Sequence, residues 1–592
     1  MTLSLSGLFP TKADLRPPEK AATTAAVRMA GGGADGFGAA GLRLPEMELA
    51  GDEKCEWLRT EIVGAEAEFD GPFGRRRITY SDHTASGRFL QFVEDFIRRE
   101  VMPFYGNTHT SDSYVGRRTA ELTNRSAAFV KQSLRSGPDD ILLFCGSGST
   151  GAIKRLQEVV GVAVPSVLRP LVLRHLQPAD RWVVFLGPYE HHSNLLSWRQ
   201  SLAQVVEIGI EGLSGQLDSA ALERALRSPE FAGRPKLGSF SACSNVSGVR
   251  TDTRAVARLL HRYGAYACFD FACSGPYVDV DMRSGDPDGY DAVFLSPHKF
   301  LGGPGSAGIL LMSSDLYKLR GSPPSTSGGG TVRFVGGYDL NDTVYCEDPE
   351  EREDAGTPAI VQKIRAAAAF AVKDWVGHVA IQERERRMVR RALQRMMGNG
   401  RVRVLGSPCA DERLPIISFL VYPEGTRGKH LHCRFVATLL SDLFGIQSRG
   451  GCSCAGPYGH VLLGIDFDRS KAFKSAVEKG FEGVKPGWTR VSFPYYFSLE
   501  EMEFVLDAIE LVVEHGHRFL SLYDFDWMTG NWRFLNEEAK FGGICQLGIT
   551  SNSNNFTGYM SVARSITKAL PVILVERQIP AYIDPQLVTF FI

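Results

Sequence analysis

The apolar positions between residues 89 and 295 alternate between helical spacing and short continuous runs. The runs at 141–144, 183–186, 265–269 and 292–295 predict buried strands. One amphipathic helix is predicted by the spacing of Phe89, Val93, Phe96, Ile97 and Val101, and others are predicted after Thr150 and from Asp252 to Tyr263. Continuous apolar strands joined by helices are typical of a mostly parallel sheet covered on both faces, so the predicted fold class is α/β.

The pattern changes after about residue 375. A helical stripe ending at Gly398 is formed by Val389, Leu393, Met396 and Met397. The segment Ser498-Leu-Glu-Glu501 predicts a capping box, opening a helix that runs through Val513 and stops at Gly516. These signals predict a smaller α+β domain.

The expected domain organisation follows these changes in pattern. Residues 1–55 are expected to be a disordered tail or a presequence, and 56–105 a segment that joins the small domain. The large domain is expected at 106–375 and the small domain at 376–520. Residues 521–592 are expected to form an extension packed on the surface, with no readable role.

The composition excludes several classes of protein. The 592 residues carry a net charge of -1, so no overall field attracts nucleic acid or an anionic membrane. No run of 18 apolar residues predicts a membrane span. Eleven scattered cysteines suit a reducing compartment. We therefore expect an intracellular enzyme, cytoplasmic or organellar, with a mitochondrion or a plastid both open.

The first candidate site is the loop Cys145-Gly-Ser-Gly-Ser-Thr-Gly151, between a predicted strand and a predicted helix. Small residues at a helix N-terminus let backbone N–H groups approach an anion, although the loop could be only a tight turn. No acidic residue lies between Glu158 and Asp180, where a Rossmann site would place one. Lys154 is not placed as in a P-loop, so a dinucleotide or triphosphate is not expected.

Four further segments carry residues with chemistry, three of them at predicted strand ends. His191 and His192 follow the strand at 183–186, and Asp270 closes the strand at 265–269. Lys299 follows the strand at 292–295 and precedes a glycine-rich turn, which makes it a candidate Schiff-base former. Asn245 by itself could be part of a turn. These side chains together would suit a ligand that has a phosphate, a flat ring, a basic ring nitrogen and an aldehyde. Pyridoxal 5'-phosphate has all four.

The sequence resembles the class V aminotransferase family of fold-type-I pyridoxal-phosphate enzymes over roughly residues 78–515, most of all its cysteine desulfurase and selenocysteine lyase branch. The motifs occur in the family's order. They are Tyr80-Ser-Asp82-His-Thr-Ala85, Gly148-Ser-Thr150, Glu190-His-His-Ser-Asn-Leu-Leu196, Ser244-Asn-Val-Ser-Gly248, Asp270, Ser296-Pro-His-Lys299 and Ala355-Gly-Thr-Pro358.

The resemblance implies roles for these residues. Lys299 would bond covalently to the cofactor, Asp270 would keep the ring nitrogen protonated, and His191 would stack on the ring. Asn245 would lie near the ring's phenolic oxygen. The phosphate would be held by Ser149, Thr150, Ser296 and His298. The family usually has glutamine three residues after the aspartate, whereas this chain has Cys273.

The same resemblance indicates which residues would bind the substrate and attack it. Arg449-Gly-Gly-Cys452-Ser-Cys454-Ala455 is similar to the desulfurase pattern Arg-x-Gly-x-x-Cys-Ala, which makes Cys454 the expected nucleophile. Arg490 resembles the arginine that binds the substrate carboxylate, with Arg449 as a second substrate-binding residue. Lys299, Cys454 and His191 are thus the expected catalytic residues. Cys452-x-Cys454 has no second Cys/His pair at zinc spacing, so no metal is expected.

The expected reaction converts L-cysteine to L-alanine with a persulfide on Cys454, or acts similarly on selenocysteine. Another class V activity, as a transaminase, epimerase or lyase of a different amino acid, remains open. A non-catalytic sulfur carrier or scaffold is a further alternative, although the presence of Lys299 and Asp270 opposes it. The resemblance also implies a homodimer, with Gly328–Thr331 approaching the neighbouring site, and leaves a sulfur-acceptor protein possible.

Overall fold

The computed structural model describes residues 42, 44–45, 50–212, 215–339, 341–423, 428–535, 555–572 and 577–592. Most of the predicted tail over 1–55 lies outside the described residues. The helix Gly51–Thr60 begins inside that range, and its Cys55 and Leu58 are fully buried in the large hydrophobic core. The packed part of the chain therefore begins before residue 56.

The centre of the fold is a sheet that has seven strands in the described part of the chain. All neighbouring strands pair in parallel except Gly308–Met312, which is antiparallel to both its neighbours. Across the sheet, the strands are Ile141–Cys145, Gly308–Met312, Ala292–Leu295, Ala265–Asp270, Lys236–Ser241, Val183–Leu186 and Gln204–Glu207. Separate clusters of buried apolar side chains include alternate residues of these strands, so both faces of the sheet are covered.

Helices connect and cover these strands. In the first 376 residues the described helices are Gly51–Thr60, Gln91–Phe96, Tyr114–Ser133, Gly148–Val159, Arg169–His175, His192–Arg199, Ser219–Leu226, Thr253–Arg262, Pro349–Arg352 and Ile360–Val376. A π-helical turn, Ile97–Val101, continues Gln91–Phe96, so the helix predicted from Phe89 begins two residues later than expected. None of the described helices is long and apolar enough to cross a membrane.

A second, antiparallel sheet follows in the chain. Its described strands are, in spatial order, Val402–Val404, Ile416–Val421, Trp488–Ser492 and Arg449–Gly451. It is accompanied by the helices His378–Met397, Cys433–Phe444, Gly456–Leu463, Phe467–Glu478 and Leu499–His515. The predicted capping box is confirmed, since Ser498 and Glu501 each accept a hydrogen bond from the other's backbone N–H. The strand Thr79–Tyr80 pairs with Ile446–Gln447 in a separate two-stranded sheet, which ties the N-terminal segment to this part of the chain.

The strands and helices predicted from apolar pattern are confirmed, but three strands of the central sheet were not predicted. Lys236–Ser241 has Gly238 and two serines among its apolar residues, and Gln204–Glu207 is a half-buried edge strand. Gly308–Met312 is an uninterrupted apolar strand that directly follows the glycine-rich turn. The α/β architecture with a smaller α+β unit agrees with the prediction, while the exact domain limits stay a prediction.

The C-terminal extension differs from the surface attachment that the sequence predicts. The strands Tyr523–Phe525 and Trp532–Phe534 form a hairpin, and the helix Phe556–Ala569 packs against Cys433–Phe444. Five buried aromatic residues of the extension belong to the hydrophobic core of the smaller unit: Tyr523, Phe525, Trp532, Tyr559 and Phe590. Serine, asparagine and glycine between them dilute the apolar periodicity that would have signalled a core element.

Replacing Trp532 with alanine is expected to destabilise the protein by about 3–5 kcal/mol, because it removes a buried indole. Its Nε1–H donates to His432 Nδ1 at 2.9 Å, and burial lowers the pKa of His432 to about 3, which keeps that nitrogen an acceptor. Urea unfolding measures the effect, with Arg533→Ala on the exposed side of the same strand as the control. Equal midpoints for the two variants would show that the extension is not part of the core.

Candidate active site

The N-terminus of the helix Gly148–Val159 forms a small polar cradle. Gly148 has φ +59°, and a Cβ built there would lie 2.8 Å from Ser296 Oγ, so only glycine leaves this space open. Ser296 Oγ accepts the Ser149 N–H at 2.9 Å and donates to Ser149 Oγ at 3.1 Å. Hydroxyl groups and a helix N-terminus are a donor set that suits a phosphate.

A second pair of hydroxyls extends the cradle toward the histidine motif. Thr150 Oγ1 lies 2.7 Å from Ser193 Oγ, which joins the first turns of two helices. Ser193 was not predicted as a site residue, although it stands inside the segment that carries His191. The backbone N–H of Ser193 donates to His191 Nδ1 at 3.2 Å. His191 thereby caps the helix His192–Arg199, which fixes its position at the end of the strand Val183–Leu186.

The His191 ring is electrically neutral over the physiological range. Burial lowers its pKa to about 4, and the positive charge of Lys299 acts in the same direction. Because Nδ1 accepts a hydrogen bond, a neutral ring carries its proton on Nε2. A neutral, half-buried imidazole is suited to lie against a flat ring.

Asp270 is a buried carboxylate at the end of the strand Ala265–Asp270, and its side chain accepts hydrogen bonds from the Ala272 N–H at 2.9 Å and from the Ser149 hydroxyl. Burial raises its pKa, while these donors and the charge of Lys299 oppose that rise. A buried carboxylate is costly unless cationic groups neutralise it. The position therefore suits a protonated ring nitrogen.

Lys299 ends the 3-10 turn Pro297–Lys299, directly after the strand Ala292–Leu295. Burial lowers the pKa of its amine. Arg490 and Arg449 lower that pKa further, whereas Asp270 raises it. A lysine with a lowered pKa has a larger fraction of neutral, nucleophilic amine at physiological pH. In the same turn, burial lowers the pKa of His298 to about 4.

Arg490 is buried on the strand Trp488–Ser492 and is only 1% exposed. Its Nη2 lies 2.6 Å from Asp82 Oδ1, and its Nη1 donates to the Asn245 carbonyl at 2.9 Å. The guanidinium is thus fixed in orientation, and its Nε–H is a buried donor without a partner among the described residues. Asp82 belongs to the motif at residues 80–85 but is not among the predicted site residues.

Cys454 lies in a tight turn that follows the strand Arg449–Gly451. The Ala455 N–H donates to the Cys452 carbonyl at 3.1 Å, and the two residues between them, Ser453 and Cys454, have φ +51° and +57°. Left-handed backbone costs a non-glycine residue about 1–2 kcal/mol, and such strain is concentrated at functional sites. Arg449 Nη2 lies 3.8 Å from Cys454 Sγ, so a positive charge stands beside the thiol.

The cysteine turn is held against the central sheet by three hydrogen bonds. Asn245 Nδ2 donates to the Ser453 carbonyl at 2.8 Å, and the His192 N–H donates to the Cys454 carbonyl at 2.9 Å. The Gly456 N–H donates in turn to His192 Nε2 at 3.0 Å. From the sequence, His192 is only the second member of a histidine pair, with no predicted role of its own. Its position shows that it anchors the turn.

Cys273, which stands where the family usually has glutamine, is buried beneath this site. Its Sγ donates to the Cys243 carbonyl at 3.1 Å, so its only hydrogen is directed at the backbone of a neighbouring strand end. The amide donor that a glutamine would offer is therefore replaced by a thiol that is already engaged.

The structure brings all of the predicted site residues into one connected cluster. Hydrogen bonds and charge interactions link Ser149, Thr150, His191, Asn245, Asp270, Ser296, His298, Lys299, Arg449, Cys454 and Arg490. Within the described ranges, no group of three or more His, Cys, Asp or Glu residues is placed to hold a metal ion.

Comparison with known proteins identifies the family of the chain. The model of the family "Aminotransferase class-V" matches residues 79–505, which is more than two thirds of the chain. A probable cysteine desulfurase of Pyrococcus abyssi is 29% identical over 443 residues, covering 74% of this chain and 95% of that protein. Another, of Streptomyces coelicolor, is 28% identical over 436 residues, covering 74% and 92%.

A solved structure gives the same fold. The cysteine desulfurase of Thermococcus onnurineus, in its apo form, superposes with a TM-score of 0.60 at 23% sequence identity. The match covers 77% of this chain and 98% of that one. The predicted fold class, a fold-type-I architecture, is confirmed.

Proposed function

Because this chain belongs to the class V aminotransferase family, we propose that it is a pyridoxal-phosphate-dependent cysteine desulfurase, which moves the sulfur of L-cysteine to Cys454 and releases L-alanine. The observation that carries this proposal is the Cys454 turn, which is tied by hydrogen bonds to His192 and Asn245 and holds its thiol 3.8 Å from Arg449 Nη2. Neither transamination nor epimerisation needs a thiol nucleophile. Alanine formed by the holoenzyme from L-cysteine tests the proposal, and its absence would contradict it.

The residues of the site fit pyridoxal phosphate. The hydroxyls of Ser149, Thr150 and Ser296 and the helix N-terminus behind Gly148 would hold the phosphate, with His298 beside them. Asp270 would pair with the ring nitrogen, and the neutral His191 would cover the ring. When bound, the cofactor withdraws electrons from the substrate Cα and so stabilises the charge left when a proton departs.

Lys299 and the two arginines would position the substrate and move its proton. The α-carboxylate would bind at Arg490, whose Nε is without a partner among the described residues, with Arg449 adding positive charge. Because the pKa of Lys299 is lowered, its side chain can be a neutral amine. Its Nζ would then accept the proton from the substrate Cα and return it to the product carbon. Asp82 and the Asn245 carbonyl keep Arg490 in place throughout.

Cys454 would take the sulfur. Its thiolate, paired with Arg449, attacks the substrate Sγ, a sulfur–sulfur bond forms, and the carbon–sulfur bond of the substrate breaks. The electron pair of that bond stays on the substrate Cβ, which gains a proton and becomes the methyl group of alanine. The products are L-alanine and a persulfide on Cys454, so no external oxidant or reductant is consumed.

Thr150→Val is expected to weaken pyridoxal-phosphate binding roughly 10- to 100-fold, because a hydrogen bond to a charged group contributes about 1.5–3 kcal/mol. Thr150 is exposed, so the substitution should not disturb packing. Titrating pyridoxal phosphate into the apoenzyme and following the absorption of the bound cofactor measures the affinity. Thr253→Val, in the first turn of a different helix, is the matched control and should bind normally. Equal affinities for both variants would remove Thr150 from the phosphate site.

Two partners follow from the proposed reaction. A persulfide must be passed to a thiol acceptor before the next turnover on the same cysteine, so a sulfur-acceptor protein or a small thiol is expected. By analogy with the family we also propose a homodimer, with Gly328–Thr331 near the neighbouring site. Sedimentation of the purified holoenzyme tests the dimer.

A further inference from the structure

Glu190 is a buried carboxylate that has no part in the reaction above. It directly precedes His191, a few residues after the strand Val183–Leu186, and it is only 3% exposed. Gly187 leaves space for it, since a Cβ built at Gly187 would lie 2.6 Å from Glu190 Oε1. The fold therefore provides a defined position for this carboxylate beside the site.

Four hydrogen-bond donors surround the Glu190 side chain. Its Oε1 accepts the Ser241 N–H at 2.8 Å and the Gly187 N–H at 3.2 Å. Its Oε2 accepts the Asn194 side-chain amide at 2.6 Å and the Ser241 hydroxyl at 2.7 Å. The Asn194 amide is fixed in orientation, because its Oδ1 accepts the Trp198 Nε1–H at 3.0 Å. All four of these contacts are donated to Glu190, so they favour the ionised carboxylate.

The charge of Glu190 lies close to that of Asp270. Ser241, which donates twice to Glu190, is the register partner of Asp270 on the neighbouring parallel strand. Residues paired in this way direct their side chains to the same face of the sheet. Burial raises the pKa of Glu190 to about 7, and the charge of Asp270 adds to that rise, so the two carboxylates interact. Because both are buried, solvent screens their interaction only weakly.

We propose that Glu190 is a positioning residue that acts together with Asp270: its negative charge helps to keep the proton on the ring nitrogen of the bound cofactor. Two buried carboxylates repel each other, and a cation beside them relieves that repulsion. The protonated ring nitrogen would be that cation. The inference rests on the proposed function, since it requires pyridoxal phosphate in the site.

The proposal is tested with two ligands that differ only at the ring nitrogen. One is pyridoxal phosphate, and the other is its 1-deaza analogue, in which a C–H group replaces that nitrogen. Each is titrated into apoenzyme of the full chain at pH 8, above the pKa of Glu190, while the absorption of the bound ligand is followed. The phosphate, the aldehyde and Lys299 contribute to both affinities, so the ratio of the two dissociation constants isolates the ring nitrogen.

Glu190→Gln is expected to weaken the binding of pyridoxal phosphate roughly ten- to twenty-fold and to leave the binding of the analogue within about two-fold of wild type. This is the effect of one unit charge about 10 Å from a cation at an effective dielectric constant of ~20. Glu190→Asp keeps the charge and should keep the wild-type ratio even if both affinities fall. Glu207→Gln removes an exposed carboxylate at the end of the edge strand Gln204–Glu207 and is the matched control.

An equal or larger loss for the analogue would overturn the proposal, because a residue that only holds the strand ends together would affect both ligands alike. Unchanged binding of both ligands to Glu190→Gln would overturn it as well. Glu190→Met, which removes the charge with an apolar side chain of similar size, gives the same comparison if Glu190→Gln fails to fold. Wild-type protein that binds neither ligand would instead contradict the proposed function, whereas alanine production by wild type would be untouched by a negative result at Glu190.

Discussion

Replacing Lys299 with alanine is expected to lower alanine production from L-cysteine at least about a thousand-fold, because one residue supplies both the covalent attachment and the proton transfer. The structure places this amine just after the strand Ala292–Leu295, where burial and the two arginines lower its pKa and Asp270 opposes them. The effect follows from the loss of the amine itself, since no other lysine interacts with Asp270, His191 and His298 in the described residues.

Two measurements separate this loss from misfolding. Borohydride reduction should fix the cofactor irreversibly to wild-type protein and leave it removable from Lys299→Ala, while initial rates report the turnover of L-cysteine. Lys154→Ala, on the exposed side of the helix that carries the phosphate cradle, is the matched control and should behave as wild type. A Lys299→Ala protein that turns over at more than a few per cent of the wild-type rate would contradict the assigned role.

Replacing Cys454 with serine is expected to abolish sulfur removal, again by at least about a thousand-fold, because a neutral hydroxyl is a poor nucleophile toward sulfur. The absorption of the bound cofactor should be unchanged, since Cys454 contacts Arg449 and the turn, and the cradle is built from other residues. Addition of L-cysteine should still change that absorption, because substrate binding does not need the thiol.

A spectrum that responds to L-cysteine without release of alanine would be the expected signature of Cys454→Ser. Cys409→Ser provides the control for a general effect of removing a thiol, and it should retain normal rates. Full turnover by Cys454→Ser would show that the sulfur leaves without a protein nucleophile. The protein would then be a lyase of another kind within the same family.

The parts of the site that the sequence predicts are those built within single segments. The cradle Gly148–Thr150, the end of the strand at Asp270 and the turn at Lys299 each combine a short apolar strand with its following loop. Parallel strands place such loops at one edge of the sheet, so an ordered set of local motifs is enough to predict one shared site. This reasoning works because backbone direction fixes where each loop must lie.

The parts that the sequence did not predict depend on contacts between distant segments. Asp82 meets Arg490 across 408 residues, and His192 meets Gly456 across 264. Neither pair has a spacing or a periodicity that a single sequence could reveal. The role of Ser193 was missed for a different reason, since its hydroxyl meets Thr150 only when two helix N-termini face each other.

The C-terminal extension shows the limit of apolar patterning more clearly. Its buried aromatics are separated by polar residues, so no helix or strand signal of normal length emerges around Tyr523, Phe525 and Trp532. Through Arg434, which donates to the Thr529 carbonyl at 2.6 Å, the extension also contacts the helix that packs against the strand before Cys454. Its packing therefore extends to the back of the site.

The central claim is that this protein moves the sulfur of L-cysteine onto Cys454, and intact-protein mass measurement tests it most directly. Holoenzyme mixed with L-cysteine in the absence of reductant should gain the mass of sulfur, and the amount bound should equal the alanine released. Cys454→Ser should gain none. Alanine released with no sulfur on the protein, or sulfur bound with no alanine, would contradict the account.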